Sequence, residues 1–466
     1  MKINSLSHTG KSRMTAPSGR EPWNTINSDN LKDKTMLHNN YGINEKGHLT
    51  VCGADAVELA KKYGTPLYIL DEDYIRTKCR QYKAAFEKHF PYGSKPFFAS
   101  KALSYVGIYR IIADEGLGTD IVSPGELYTA IKAGFPINST CFHGNNKTDD
   151  DIEYGIKAGV GYFVVDSTEE LNVLNETAKR LGKVQKILLR LTPGIDPHTF
   201  AAVNTGRIDS KFGNSIDTGA AEEITKAALK LDNVKLCGYH CHIGSQIFES
   251  EPFCRAAKIM TEFSAKIKQK YSYEAEIINL GGGFGVRYYE GQDEPDTDAF
   301  ISEIADVIKG VCDKNGMKFP VIFMEPGRSI VGAAGVTVYT VGSVKTIPGF
   351  RTYVSVDGGM PDNPRYALYS SRYTALIANK ADEPCVDEYT IGGRCCESGD
   401  MIGEGMLLQK AERGDKLAVL VTGAYNYSMA SHYNRIPKAP IVTVSNGSDT
   451  LAVKRETYED LTKNEL

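Results

Sequence analysis

The feature that most constrains this chain is an alternation of short apolar runs with longer stretches of helical periodicity, sustained from about residue 72 to 330. Strands that each return through a helix lie parallel, and a parallel sheet must be covered by those helices. Eight such runs can be counted, at 96–99, 118–121, 140–142, 162–165, 186–191, 234–241, 277–280 and 321–324. Eight βα units predict a closed (β/α)8 TIM-type barrel, and the stretch has the usual barrel length of about 250 residues. Between the runs, 124–133 reads as a helix with Gly125 and Glu126 in its first turn, and 167–181 as one capped by Ser167.

After Arg328 the texture changes to Val, Thr and Tyr at period two, as in 336–341 and 416–421. That alternation predicts an all-β domain, a β-barrel or β-sandwich, behind the barrel. The segments 44–50 and 65–70 also read as strand and are expected to join its sheet. The expected organisation is α/β plus all-β: a flexible extension 1–36, an N-terminal segment of the β domain 37–71, the (β/α)8 barrel 72–330 and the β domain 331–466.

Composition removes several function classes. Hydrophobic residues make up 41% and charged residues 24%, and no apolar run approaches the roughly 18 residues that span a bilayer. With a net charge of −4 and scattered Lys and Arg there is no basic field for nucleic acid, so small molecules are the expected partners. The ten cysteines form no CxxC pair and read as reduced thiols of a cytoplasmic protein. Residues 1–36 lack the apolar core of a secretory signal; the first twenty carry Lys2, Lys11, Arg13 and Arg20 and no acid, which leaves a transit peptide open beside the flexible extension.

Barrels carry their chemistry at the C-terminal ends of the strands, where loops are free to vary. Lys101, Asp120, His143, Asp166, Arg190, His242, Gly281 to Gly283 and Glu325 all fall at or just past those ends. Lys101 follows an apolar strand and precedes Ala102 and Leu103. Desolvation there would leave a neutral amine able to form an imine with an aldehyde such as pyridoxal phosphate; a snorkelling surface lysine is the ordinary alternative. The run Gly281-Gly282-Gly283-Phe284-Gly285 offers bare amides for a phosphate, against the plainer reading of a tight turn. Glu325 and Arg328, in Met-Glu-Pro-Gly-Arg, could face a pyridine nitrogen and an anion, or simply each other.

His240 and His242 are discounted as a metal pair, because strand alternation is expected to separate their faces and no third ligand shows; one histidine stacked on a cofactor ring fits better. In Gly392 to Asp400 a thiol, Cys395 or Cys396, stands beside Glu397, a proton donor beside an acceptor for an ammonium group. Buried inert thiol is the usual state of a cysteine such as Cys395. Tyr425 offers a phenol to a phosphate or to the core.

Ten segments in order, among them FFASKA, HGNNKT, DSKFG, HCHIGSQ, NLGGGFG, EPGRSIVG, DGGMPDNPRYALY and CCESGD, resemble the pyridoxal-phosphate-dependent decarboxylases of the alanine racemase-like fold. The resemblance runs from about residue 37 to 454. It implies that Lys101 holds the cofactor, that His242 stacks on its ring and that Glu325 pairs with the pyridine nitrogen. Asp120 would join the cofactor site, and Ser245, the amides of Gly282 and Gly283, Arg328 and Tyr425 would hold the phosphate. Family members are homodimers with shared sites, so Cys396 and Glu397 would enter from a second copy and Lys211 would pair with Asp400 across the interface.

Relatives acting on ornithine have aspartate after the cysteine and lack the segment Arg365 to Tyr369. A substrate with a distal carboxylate needs a cation, which Arg365, Arg328 and Tyr369 can provide, while Glu397 accepts an ammonium. An unpaired buried charge costs about 2–5 kcal/mol, so a substrate without that carboxylate is disfavoured. The resemblance thus implies decarboxylation of meso-diaminopimelate at its D-configured centre, releasing L-lysine, with protonation by Cys396. Decarboxylases of carboxynorspermidine, arginine or ornithine, and a regulator that kept the fold and lost the chemistry, are the alternatives. Two departures, Gly393-Arg394 and Tyr366 where the family commonly has Pro, remove no functional group.

Overall fold

The computed structural model describes residues 36–195 and 211–466; the expected extension lies almost wholly outside them. Eight parallel strands close on themselves: Lys95–Ala99, Gly118–Ile121, Thr140–Phe142, Tyr162–Val165, Gln185–Thr192, Val234–His240, Ile277–Asn279 and Val321–Met324. The last strand pairs with the first through Phe323 opposite Lys95 and Met324 opposite Pro96. Each predicted run is therefore a strand to within a residue or so. The helices Pro124–Ala133, capped by Ser123, and Thr168–Arg180, capped by Ser167, also stand where read. In both, the serine oxygen accepts from the third helical amide, satisfying one donor the helix cannot use itself.

Period two sorts the barrel interior into layers. Phe97, Cys141, Val164, Leu188, Cys237, Ile277 and Phe323 form one buried cluster, an apolar floor to which seven of the strands contribute. The remaining strand supplies Gly118, where a Cβ would lie 2.5 Å from the Phe97 ring. Two residues further along, the same inward positions carry Asp120, His143, Asp166, Arg190, Asn279 and Glu325, all buried. A pleat of two residues thus converts a dry floor into a polar ceiling. In the sixth strand a register shift between Leu236 and Gly238 brings His240, rather than Tyr239, to that polar layer.

The second core belongs to a mixed sheet. Its longest strand, Gly335–Ile347, pairs in its first half with Lys416–Leu420 and Leu67–Asp71, and in its second half with Arg351–Val356. Leu67–Asp71 is inserted between that strand and Ile441–Ser445, so the N-terminal segment is recruited as expected. The reading of 44–50 as strand needs correction. Tyr41–Ile43 and Leu49–Val51 form a small hairpin of their own, and Asn44 begins its turn by accepting from the amides of Lys46 and His48. A side chain that caps its own backbone in this way competes with the ladder.

No helix among the described residues is long and apolar enough to cross a membrane.

Candidate active site

The polar layer opens into a cavity of about 320 Å³, large enough for a small molecule. Lys101, Asp120, His242, Ser245, Gly282, Gly283, Glu325, Arg328, Arg365, Tyr369 and Tyr425 all line it. The strand Lys95–Ala99 ends in a 3-10 turn, Ser100–Ala102, that projects Lys101. Asp120 on the next strand accepts from the Ser100 amide at 2.7 Å, and Tyr425 of the β domain donates its amide to Ala102 O at 2.7 Å. Tyr425 does so from the left-handed region, φ 63°, a conformation a tyrosine keeps only where its surroundings enforce it. Both domains therefore grip the turn that carries the lysine. Lys101 itself is exposed in the cavity.

Glu325 is the most heavily coordinated group. Asn279 Nδ2 donates to Oε1 at 2.7 Å, and His240 Nε2 lies 3.2 Å from Oε2. His143 Nε2 is 3.0 Å from Oε1, at an angle too bent for a full hydrogen bond. Burial alone would raise the Glu325 carboxyl, but the two histidines outweigh it and hold it well below the usual carboxylate range. Asp120 goes the other way: burial, then repulsion from Glu325, raises it well above its ordinary value. Two neighbouring carboxyls driven apart in this way give one site an ionised acceptor and a neutral partner. Burial lowers His143 as well, and lowers His240 to about 4. His242 is depressed further by the charge on Lys101, and its bare Nδ1 accepts from the Gly282 amide at 3.2 Å.

The expectation that strand alternation separates His240 from His242 is corrected here. His240 and His242, two residues apart, share a face and both line the cavity, and His143, His240 and Glu325 bring three ligand-type atoms within 4.8 Å of one another. Closure of the barrel, which sequence spacing does not display, assembles them from the third, sixth and eighth strands.

The glycine run also has more structural cause than its sequence suggested. A Cβ on Gly282 would sit 2.0 Å from Glu325 O, and Gly281 holds φ 68° with Cys241 O 2.5 Å from its missing Cβ. The glycines let the last strands of the barrel approach closely whatever they bind. Since the Gly282 amide is engaged by His242, it is less free for an anion than expected.

Two guanidinium groups face the cavity. Arg328 is 6% exposed and donates to Tyr288 Oη at 2.8 Å and Ser245 Oγ at 3.0 Å; Arg365 is 7% exposed. Both lie near the Tyr425 ring, 4.7 and 5.1 Å from its centroid, and Arg365 is also 5.1 Å from that of Tyr369. Neither forms an ion pair among the described residues, and Nε of each is buried without a hydrogen-bond partner. Buried cations left in this state call for an anionic ligand. The site thus fits a cofactor that brings a phosphate, an aldehyde for Lys101 and a basic ring nitrogen for Glu325. Tyr288, which sequence reasoning missed, holds one arm of Arg328; nothing in its local sequence marked it.

Cys396 and Glu397 do not reach this cavity within one chain. Both are exposed on a loop tied to the turn at Asn434, whose Oδ1 accepts from the Cys396 amide at 2.8 Å. Burial first, then the charge of Asp400, pushes the Cys395 thiol up to about 12. Asp400 is buried in its own chain, its oxygens accepting from the amides of Met360 at 2.6 Å and Cys395 at 2.7 Å, which disfavours the expected pairing with Lys211 of a second copy. Phe212, over which both Arg190 and Lys211 stack, lines the cavity.

Residues 72–332 match the family model described as the pyridoxal binding domain of pyridoxal-dependent decarboxylases. A diaminopimelate decarboxylase of Bacillus subtilis is 44% identical over 92% of this chain and 98% of its own length, and one of Bacillus methanolicus is 45% identical over 90% and 97%. A crystal structure of diaminopimelate decarboxylase from m. jannaschii in co-complex with L-lysine superposes with a TM-score of 0.85 at 35% identity, covering 93% of this chain and 99% of that one. The scaffold is thus shared over nearly its whole length, and the chain is a member of the pyridoxal-dependent decarboxylase family, among the diaminopimelate decarboxylases.

Proposed function

We propose that this chain converts meso-diaminopimelate to L-lysine and carbon dioxide, the lysine-releasing step of lysine biosynthesis, in the cytoplasm. The observation that carries this reading is the pair Arg328 and Arg365, two buried cations without an ion-pair partner among the described residues, on one cavity with Lys101. One anion for each is what a cofactor phosphate and a second substrate carboxylate would supply.

Pyridoxal phosphate, when bound, supplies an electron sink for the pair left by the departing carboxylate. Lys101 would hold it covalently, and Glu325 would keep its ring nitrogen protonated. His242, neutral, would lie against the ring, with Asp120 behind the lysine turn. Ser245, Arg328, Tyr425 and the Gly283 amide would hold the phosphate, the Gly282 amide being engaged by His242. Arg365 and Tyr369, with Arg328, would bind the substrate's distal carboxylate.

The remaining two roles need a second copy of the chain. In a homodimer, Cys396 of the exposed loop would give a proton to the substrate carbon after carbon dioxide leaves, and Glu397 would receive the distal ammonium. Their exposure in one chain supports this arrangement, as does a cavity that opens at the barrel mouth. The unit that binds cofactor would be 72–330, with 37–71 and 331–466 as the β domain and 1–36 a flexible extension.

The test is turnover by purified protein with meso-diaminopimelate, ornithine, arginine and carboxynorspermidine in parallel, following carbon dioxide and amine. Lysine formed from the first alone is expected. Faster turnover of any other substrate overturns the assignment of Arg365, and no turnover despite bound cofactor overturns the catalytic reading.

A further inference from the structure

We propose that His143 and His240 are positioning residues for Glu325, fixing its carboxylate in the orientation from which it accepts from the cofactor's ring nitrogen. The inference rests on the reading that Glu325 faces that nitrogen. An ionised carboxylate has about four acceptor positions. Three are approached by this chain: Oε1 by Asn279 Nδ2 at 2.7 Å and His143 Nε2 at 3.0 Å, and Oε2 by His240 Nε2 at 3.2 Å. One position is left for a ligand in the cavity, which Glu325 lines together with both histidines.

Neither ring beside the carboxylate is a permanent cation. An arginine or lysine at either position would neutralise the carboxylate and compete with a protonated ring nitrogen for its charge. An imidazole carries no permanent charge, and burial works against protonation of both rings, lowering His143 and taking His240 to about 4, so they can orient the group while leaving its charge for the ligand. The rings sit edge to face with centroids 4.9 Å apart, so each limits the other's rotation. His240 occupies its place only through the register shift in the sixth strand; an unbroken alternation would turn Tyr239 inward instead. His240 Nδ1 is buried without a partner, which fits a ring whose single proton resides on Nε2, toward Glu325.

The test compares binding of pyridoxal phosphate with that of its 1-deaza analogue, in which carbon replaces the ring nitrogen, to the full-length protein stripped and reloaded. Wild type is expected to prefer the natural cofactor by about 10-fold or more, the scale of one charge-assisted hydrogen bond, and Glu325→Gln to lose that preference. His143→Phe and His240→Phe should each lower the preference at least about 3-fold while affinity for the analogue stays within about 2-fold. A general loss of structure would weaken both ligands alike. If wild type discriminates and either histidine variant discriminates equally well, the positioning role is wrong. If wild type shows no preference, the placement of Glu325 against the nitrogen is what fails. Should a phenylalanine variant not fold, His143→Asn and His240→Asn carry the same comparison, each overturning the role if its preference equals that of wild type.

Discussion

The barrel mouth and the loop 394–399 hold the two halves of one proposed chemistry in opposite states. At the mouth, Asp120, Glu325, Arg328 and Arg365 are each less than a tenth exposed; burial and the charge of Glu325 raise Asp120, while the two histidines overcome burial to lower Glu325. On the loop, Cys396 and Glu397 stand in solvent; the Cys396 amide donates to the Asn434 side chain, and the Glu397 carboxylate accepts from the Gly399 amide of the same loop. Charge preorganised in a dry cavity acts without reorganising at the moment of reaction, whereas a proton donor in open water has no such advantage until it is covered. On the proposed reading, the difference teaches that one chain carries the electron-withdrawing half in place, whereas the proton-delivering half waits for a second copy.

That contrast can be broken in four ways. The largest effect is expected from Lys101→Ala, which should abolish the absorbance of covalently held cofactor and lower turnover by about 1,000-fold or more. Cys396→Ala should instead leave the absorbance unchanged while lowering kcat by about 100- to 10,000-fold. If the halves meet across a two-fold axis, mixing these inactive variants under subunit exchange restores roughly a quarter of wild-type activity, from heterodimers with one intact site. Recovery of none would place both residues in the same subunit's site. Arg365→Ala comes next: KM for meso-diaminopimelate should rise by about 30-fold or more, with a smaller change for ornithine, as measured by initial rates.

The smallest effect concerns the frame joining the halves. Asp362, wholly buried, accepts from Tyr339 Oη at 2.5 Å and from the Gly359 amide at 3.1 Å, in the loop that leads to Arg365. Burial pushes its carboxyl up to about 7. Because the folded protein then holds a proton the unfolded chain would release, this group's contribution is fully present below the ordinary aspartate value near 4 and is lost as pH rises through 7. Asp362→Asn should therefore flatten the fall in melting temperature between pH 5 and 8. An unchanged slope in scanning calorimetry would show that Asp362 is ionised throughout.

The eight barrel strands were legible because each is a short apolar run between helices, and the strand-end residues followed from them. What escaped was whatever depends on closure. His143 was visible as a strand end, yet its approach to Glu325 requires the third and eighth strands to face each other across a barrel. The position of His240 depended on a one-residue shift at Gly238, which no alternation rule predicts. Lys101 was legible as a strand-end residue, but the 3-10 turn that projects it into the cavity was not. Asn44 misled for a local reason, its side chain satisfying amides that a strand would have paired.

The insertion of Leu67–Asp71 between Gly335–Ile347 and Ile441–Ser445 bears on the order in which the molecule is made. During synthesis this apolar strand emerges early, yet both of its neighbours follow the whole barrel. It must wait beside a folding barrel with two unpaired edges, and Leu67 and Ile69, wholly buried at the end, exposed until then. Pairings so distant in sequence close slowly and leave sticky edges meanwhile. The barrel can close before the sheet does, but Tyr425, which grips the lysine turn, arrives only with the last part of the chain. A nascent chain released early would therefore carry a barrel with its lysine and no complete site, which ties assembly of the chemistry to completion of translation.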